Sequence, residues 1–486
     1  MSRIKKERIR LKHHDGSSVT LTVSGDEFYS RCENDDGYTM IYDKRKGCHC
    51  YAEVADGRFV STGISFESPP PSGLRKHLRE FGKVIAARFR QRFRRVKPQA
   101  TSAPSSGAAV RGLLEGAKLH RGKVRGLTVL VDFSDVPVTI PNREIASLLN
   151  DDHYTGNGNA ASVRGYFLQM SGGHLDYSNE VYGPVRLRHK LSHYHFTRKN
   201  ELLKETIEKL VKNKVKLKPF DNNGDGKIDA VNIVYAGPTQ YVDRSWLWPH
   251  SSADEIRFGD VSTRYYQICS LESRSIGTFC HETGHMLCRF PDLYDYGNRD
   301  TDFIRSSGLG NYCLMSGGSH LNDGHTPSPV CAYLRHLAGW CTDIISLNSP
   351  GTFEARQGDY STIHKYTLGD CKNEYFLVEN RTRAGLDAHL PANGLAIYHC
   401  DENGSNEWQQ ATPTRHFQCA LIQADACFHL EHGMNMGDLN DLYASRTGTA
   451  LAYETSPSSQ RWDRSDSGLS IADIGAPGDR IKFTVT

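Results

Sequence analysis

Read by the spacing of its apolar positions, the chain changes texture along its length. SVTLTV (18–23), EFYSRC (27–32), YTMIYD (38–43) and CHCYAEV (48–54) are short runs rich in β-branched and aromatic residues, separated by Gly and Asp turns. They predict a small β-rich unit over residues 1–95. After PPPSG, the segment LRKHLREFGKVIAARFRQRFRRVK (74–97) has apolar residues at helical spacing and is expected to be a helix. PQATSAPSSGAA (98–109) has no periodicity and reads as flexible linker, so residues 96–123 join the first unit to the next.

GLTVLVDFSD (126–135) and AVNIVYAG (230–237) are continuous apolar runs of strand length, the pattern of strands buried on both faces. NELLKETIEKLVKN (200–213) repeats its apolar residues every three to four positions and predicts a helix. Helices interspersed with buried strands over 124–345 imply a mixed α/β layer. From about residue 346, KYTLGD, EYFLVEN, GLAIYHC and IKFTVT return to strand texture and predict a β-sandwich-like domain over 346–486. The fold class expected is therefore α+β, with a mixed-sheet central domain flanked by β-rich units.

Composition narrows the function classes. In 486 residues, 59 Lys and Arg stand against 56 Asp and Glu, a formal charge of +3 that offers no electrostatic case for nucleic acid or an anionic membrane. No apolar run approaches the roughly 20 residues of a membrane-spanning helix. The start, MSRIKKERIRLKHHDG, has the positive charges of a signal peptide without the apolar segment that follows them. Thirteen cysteines leave at least one thiol unpaired within the chain. The grouping of Cys269, Cys280, Cys288, Cys313, Cys331 and Cys341 permits local disulfides of unassigned connectivity.

The stretch HETGHMLCRFPDLYD (281–295) carries the candidate chemistry. On a helix, His281 and His285 stand one turn apart on one face and can reach a single metal ion, and the spacing suits Zn2+. Glu282, beside them, is placed to take a proton from a water at that metal. A second ion is expected at DNNGDGKID (221–229), where Asp221, Asn223, Asp225 and Asp229 fall at the 1, 3, 5 and 9 spacing of a Ca2+ loop with Gly226 at the turn. Position 12 is Asn232 instead of Glu and a strand follows, so an Asx and Gly turn without an ion is the competing reading.

Residues 281–295, with the HExxH helix running into PDLYD, resemble the active-site signature of the immune-inhibitor-A-like zinc metallopeptidases. VRGYFLQMSGGHLDYSNEVYGPVRL (163–187), the Asp-rich turn before VNIVYAG, WPH (248–250) and GLGNYCLMSGGSH (308–320) resemble segments of that family's catalytic domain. GDEFYSRCENDDGYTMIYD (25–43) resembles its prosegment, and residues 374–402 and 467–485 resemble its region after the catalytic domain. The resemblance implies a zincin-type fold and a secreted or extracellular endopeptidase acting on protein or peptide substrates. It also implies a zymogen whose own N-terminal segment is an intramolecular inhibitor, removed near the arginines 88–95 or the linker. Cys48 and Cys50 are candidates for a thiolate that caps the zinc; the plainer reading is a strand with two cysteines.

By the same resemblance, Asp292 of the Pro-Asp pair is the third zinc ligand, with Asp295 as the fallback. Met315 is the methionine turn beneath the metal, and Tyr294 or Tyr296 either binds the developing oxyanion or packs. Related zincins place Gly seven residues after the first histidine, where this chain has Cys288, and one extra residue precedes Pro291. The turn is therefore expected from Arg289, Phe290 and Pro291. The alternative reading is a catalytically degenerate zincin acting as a binding protein.

Overall fold

The computed structural model describes residues 4–13, 17–25, 29–85, 87, 111–195, 198–237, 247–270, 272–295, 297, 305–408, 411–445 and 448–486. It is a mixed α/β structure with several sheets and few helices. The arginine run, the linker stretch 98–109 and Tyr296 lie outside the described residues.

The first unit is a six-stranded antiparallel meander, β1 (Ile4–Lys12), β2 (Ser18–Gly25), β3 (Ser30–Glu33), β4 (Thr39–Asp43), β5 (Cys48–Ala55) and β6 (Arg58–Ser65), in sequence order. The charged start is itself a strand: Lys6, Arg8 and Arg10 are exposed while Ile9 and Leu11 pack on Leu21 and Val23. That is a two-residue alternation hidden among basic residues. Residues 74–81 are not helical, contrary to the periodicity. The His77 and Phe81 N–H groups donate to the carbonyls of Gly37 and Gly57, which draws the segment across two hairpin turns, and helical structure begins only at residue 82.

The central sheet contains β7 (Gly122–Asp132), β8 (Leu175–Arg186), β10 (Val231–Tyr235), β11 (His250–Ala253) and β14 (Tyr265–Ser270), with β9 (Lys227–Ile228), β12 (Arg257–Phe258) and β13 (Val261–Thr263) in a small side sheet. Its order is β11-β14-β10-β7-β8, parallel except for β11 at one edge. Helices cover both faces, which explains the unbroken apolar runs of β7 and β10. Leu127, Val129, Ile233 and Tyr235 pack with Leu203, Ile207 and Leu210 of α3 (Lys199–Lys212) on one side. Leu130 and Val234 face α1 (Asn142–Asn150), α2 (Val163–Met170) and α4 (Gly277–Thr283) on the other.

After α5 (Ala332–Leu337), the chain forms β15 (Asp343–Ser346), β16 (Gly351–Arg356), β17 (Thr362–Thr367), β18 (Glu374–Asn380), β19 (Leu395–Asp401), β20 (Cys419–Leu421), β21 (Ile471–Ala472) and β22 (Arg480–Val485). They make a five-stranded sheet, β15-β17-β18-β19-β20, and a three-stranded sheet, β16-β22-β21. Every residue of β18 is buried because the strand serves two cores. Phe376 and Val378 face Ile481 and Phe483 of the second sheet, whereas Tyr375 and Leu377 join the core around α4. At about 1.5–3 kcal/mol per large apolar side chain buried, these shared contacts bind the β-rich tail firmly to the central unit.

Candidate metal centre

Helix α4 and the residues after it build the site. Asn159 holds the helix entrance, its Oδ1 accepting from the Ile276 N–H at 3.1 Å and its Nδ2 donating to the Arg274 carbonyl at 2.7 Å. Gly277 lets the first turn lie against the neighbouring loop, since a Cβ there would stand 1.9 Å from the Ser319 carbonyl oxygen. Residues 284–288 then form a π-helical turn, which holds one more residue than an α turn.

Cys288 stays inside the π turn and is fully buried. The reversal falls on Arg289, which adopts the left-handed conformation with φ 57°. Its guanidinium donates to the Glu115 and His285 carbonyls, each at 3.0 Å, and lies over the Tyr265 ring. Leu114 and Leu119 donate main-chain N–H bonds to the Arg289 and Leu287 carbonyls, so residues 111–121 form a strap across the turn.

The reversal brings Asp292 to the histidines. The Nε2 atoms of His281 and His285 are 3.1 Å apart, and Asp292 Oδ1 is 3.2 Å from each. Each Nδ1 donates to a main-chain carbonyl, His281 to Leu314 at 2.8 Å and His285 to Phe290 at 2.6 Å. These bonds select the tautomer whose Nε2 lone pair faces inward. Three electron-rich atoms so close repel one another unless a cation lies among them. Edges of 3.1–3.2 Å approach the roughly 3.3 Å expected between ligands about 2.0–2.1 Å from a tetrahedral zinc. The residues present therefore fit a divalent transition metal.

Burial pushes both imidazoles below the ordinary histidine range. Burial pulls Asp292 the other way, but the adjoining imidazoles help hold its carboxyl well below the usual carboxylate range. Glu282 is fully buried beside His281, and its charge reaches His281 and Cys269 on β14. Met315 lies directly under the helix: a Cβ on Gly284, between the two histidines, would meet its Sδ at 2.7 Å. Asp295 is not brought to the triad; its carboxylate accepts from the Gly297 N–H at 2.6 Å within its own loop. Tyr294 is fully buried, which favours packing.

Three features of the site carry no sequence motif. The main-chain N–H of Asp292 donates to Glu407, from the loop after β19, at 3.1 Å. A row of buried polar side chains pins α4 to the sheet: Gln267 Nε2 donates to Thr283 Oγ1 at 3.2 Å and to Asn232 Oδ1 at 2.7 Å. Asn232 Nδ2 in turn reaches Thr128, Tyr177 and Asn179. Finally, Arg381 donates to the Tyr312 carbonyl and to Asp387, clamping the loop of Met315 to the C-terminal sheet. Alternating polar residues inside apolar strands were the available signal for the polar row.

The 221–229 loop is closed by its own main-chain donors. Asp221 accepts from the N–H groups of Gly224, Asp225 and Gly226, Asn223 from Asp225, and Asp225 from Lys227. Buried Asp229 accepts from Asn222, and burial, reinforced by the charges of Asp225 and Asp221, pushes its carboxyl up to about 6. Its three carboxylates are not among the convergent metal-ligating groups of the described residues, and Asn232 belongs to the polar row instead of the loop. All thirteen cysteines are free thiols, so the local disulfides that their grouping permits are not formed; Cys48 and Cys50 lie on β5 and belong to no convergent metal-ligating group among the described residues.

No family model matches the chain, and no curated protein matches it. Among solved structures it is similar to a catalytically inactive OgpA from Akkermansia muciniphila in complex with an O-glycopeptide (glycodrosocin) substrate. The identity is 9%, over 57% of this chain and 75% of that one, with a TM-score of 0.24. A likeness of that degree says nothing about activity.

Proposed function

We propose that this chain is a zinc-dependent endopeptidase with a zincin-type catalytic unit of the immune-inhibitor-A-like kind, acting outside the cell and made latent by its own residues 1–95. The observation that carries the reading is the buried triangle of His281, His285 and Asp292, with both histidine tautomers set by main-chain carbonyls. Zinc held there supplies Lewis acidity toward a peptide carbonyl and lowers the pKa of water toward about 7. Glu282 accepts the proton of the attacking water and passes it to the leaving amine. Met315 and the polar row keep the helix in place while Glu407 orients Asp292.

The test is zinc content by elemental analysis with casein hydrolysis, before and after limited trypsin treatment. Wild type should bind one zinc and gain activity on nicking. Glu282→Ala should keep zinc and lose hydrolysis; Asp292→Ala should lose zinc, and Asp295→Ala should retain it. Full activity in Glu282→Ala refutes the assignment, and bound zinc without hydrolysis under any treatment makes the chain a binding-only zincin.

A further inference from the structure

A second convergence of carboxylates lies in the long loop between β20 and β21. One carboxylate oxygen from each of Asp425, Asp438 and Asp441 lies within 4.8 Å of the other two. Acidic clusters on surfaces are common, but Asp441 is fully buried, and its Oδ1 has no hydrogen-bond partner. A buried carboxylate oxygen left without a donor costs on the order of 1–3 kcal/mol, more when charged, unless something electropositive meets it. The other oxygen, Oδ2, accepts from the Asp438 N–H at 2.6 Å and lies 3.0 Å from the Tyr312 hydroxyl. Asp438 accepts from Asn440 N–H, Asn435 Nδ2 and His429 Nδ1, and Asp425 from the Cys427 N–H.

We propose that Asp425, Asp438 and Asp441 form a calcium-binding site that fastens the 422–445 loop to the segment leading away from the metal centre. An all-carboxylate set of oxygens suits a hard cation of variable coordination more than zinc. Burial and the charges of Asp438 and Asp425 push the Asp441 carboxyl up to about 6, the electrostatic cost that a divalent cation removes.

The fastening is visible in the main chain. Ser307 N–H donates to Leu430 O and Asn311 N–H to Met436 O, both at 2.7 Å, and the Tyr312 hydroxyl lies 3.1 Å from the Asp438 carbonyl. The same segment reaches the centre through Asp295 N–H to Ser306 O and Leu309 N–H to Leu293 O. The site does not depend on the peptidase reading, because it is argued from a different loop and a different ligand set.

The test uses the full chain, stripped with chelator and reloaded with one equivalent of zinc, then titrated with Tb3+ under tyrosine excitation. Tyr312 touches the site, so sensitised emission should appear and be displaced by Ca2+, and Ca2+ should raise the melting temperature. Asp441→Asn and, with a smaller structural burden, Asp425→Asn should weaken Ca2+ binding at least 10-fold. Asp221→Asn should leave the response unchanged. Circular dichroism checks that each variant is folded. A wild type without sensitised emission, or a response intact in Asp425→Asn, overturns the site. So does a response lost in Asp221→Asn or in Cys427→Ser, which assigns the ion to the 221–229 loop or to the neighbouring Asp425, Cys427 and His429 group.

Discussion

The N–H of Asp292 donates to the carboxylate of Glu407 across 3.1 Å, joining the acid of the candidate metal triad to a loop 115 positions further along the chain. A hydrogen bond of this kind orients a ligand more than it adds stability, and loss of such an outer partner typically costs about 10-fold or more in metal affinity. Glu407→Ala is expected to weaken zinc retention by about that factor in competition with a chromophoric chelator. Glu407→Gln, which keeps an accepting oxygen, should restore most of it. Equal zinc affinity in Glu407→Ala and wild type would show that the C-terminal region does not position Asp292.

Arg289 does the work of a glycine while using its side chain as a strap. The left-handed conformation costs a non-glycine residue about 1 kcal/mol, and the two bonds from its guanidinium to the Glu115 and His285 carbonyls offset it. Arg289→Ala keeps the strain and loses the bonds, so it should destabilise the chain by about 2 kcal/mol in urea unfolding. Arg289→Gly relieves the strain and should cost less. The reverse order of the two variants would contradict this account of the turn.

His49, almost entirely buried on β5, should make the N-terminal sheet acid-sensitive. Burial, aided by His13, lowers its pKa from 6.5 to about 4. Between those values the unfolded state binds the proton that the folded state refuses. The stabilising contribution is therefore complete above pH 6.5 and is lost as pH falls through about 4, worth roughly 3 kcal/mol at most. His49→Gln should flatten the acid limb of a melting-temperature profile between pH 6.5 and 4; an unchanged limb would assign the sensitivity to other groups.

By itself the sequence determined the strands β2, β4, β5, β7, β10, β18 and β19 and the helix α3, because the period of apolar residues is a local property that burial on one or two faces writes directly into the chain. It also placed His281, Glu282 and His285 together, since helical geometry alone carries residue i to i+4. Only the tertiary structure brings Asp292, and not Asp295, beside the two histidines, because that placement rests on a π turn and a left-handed Arg289 that are stabilised by a strap far away in sequence. The same holds for residues 74–81, whose helical spacing yielded to hydrogen bonds with two hairpin turns, and for Glu407, Gln267 and Asp441. Their roles depend on which buried donors and acceptors meet, and long-range pairing of that kind leaves no period in the chain.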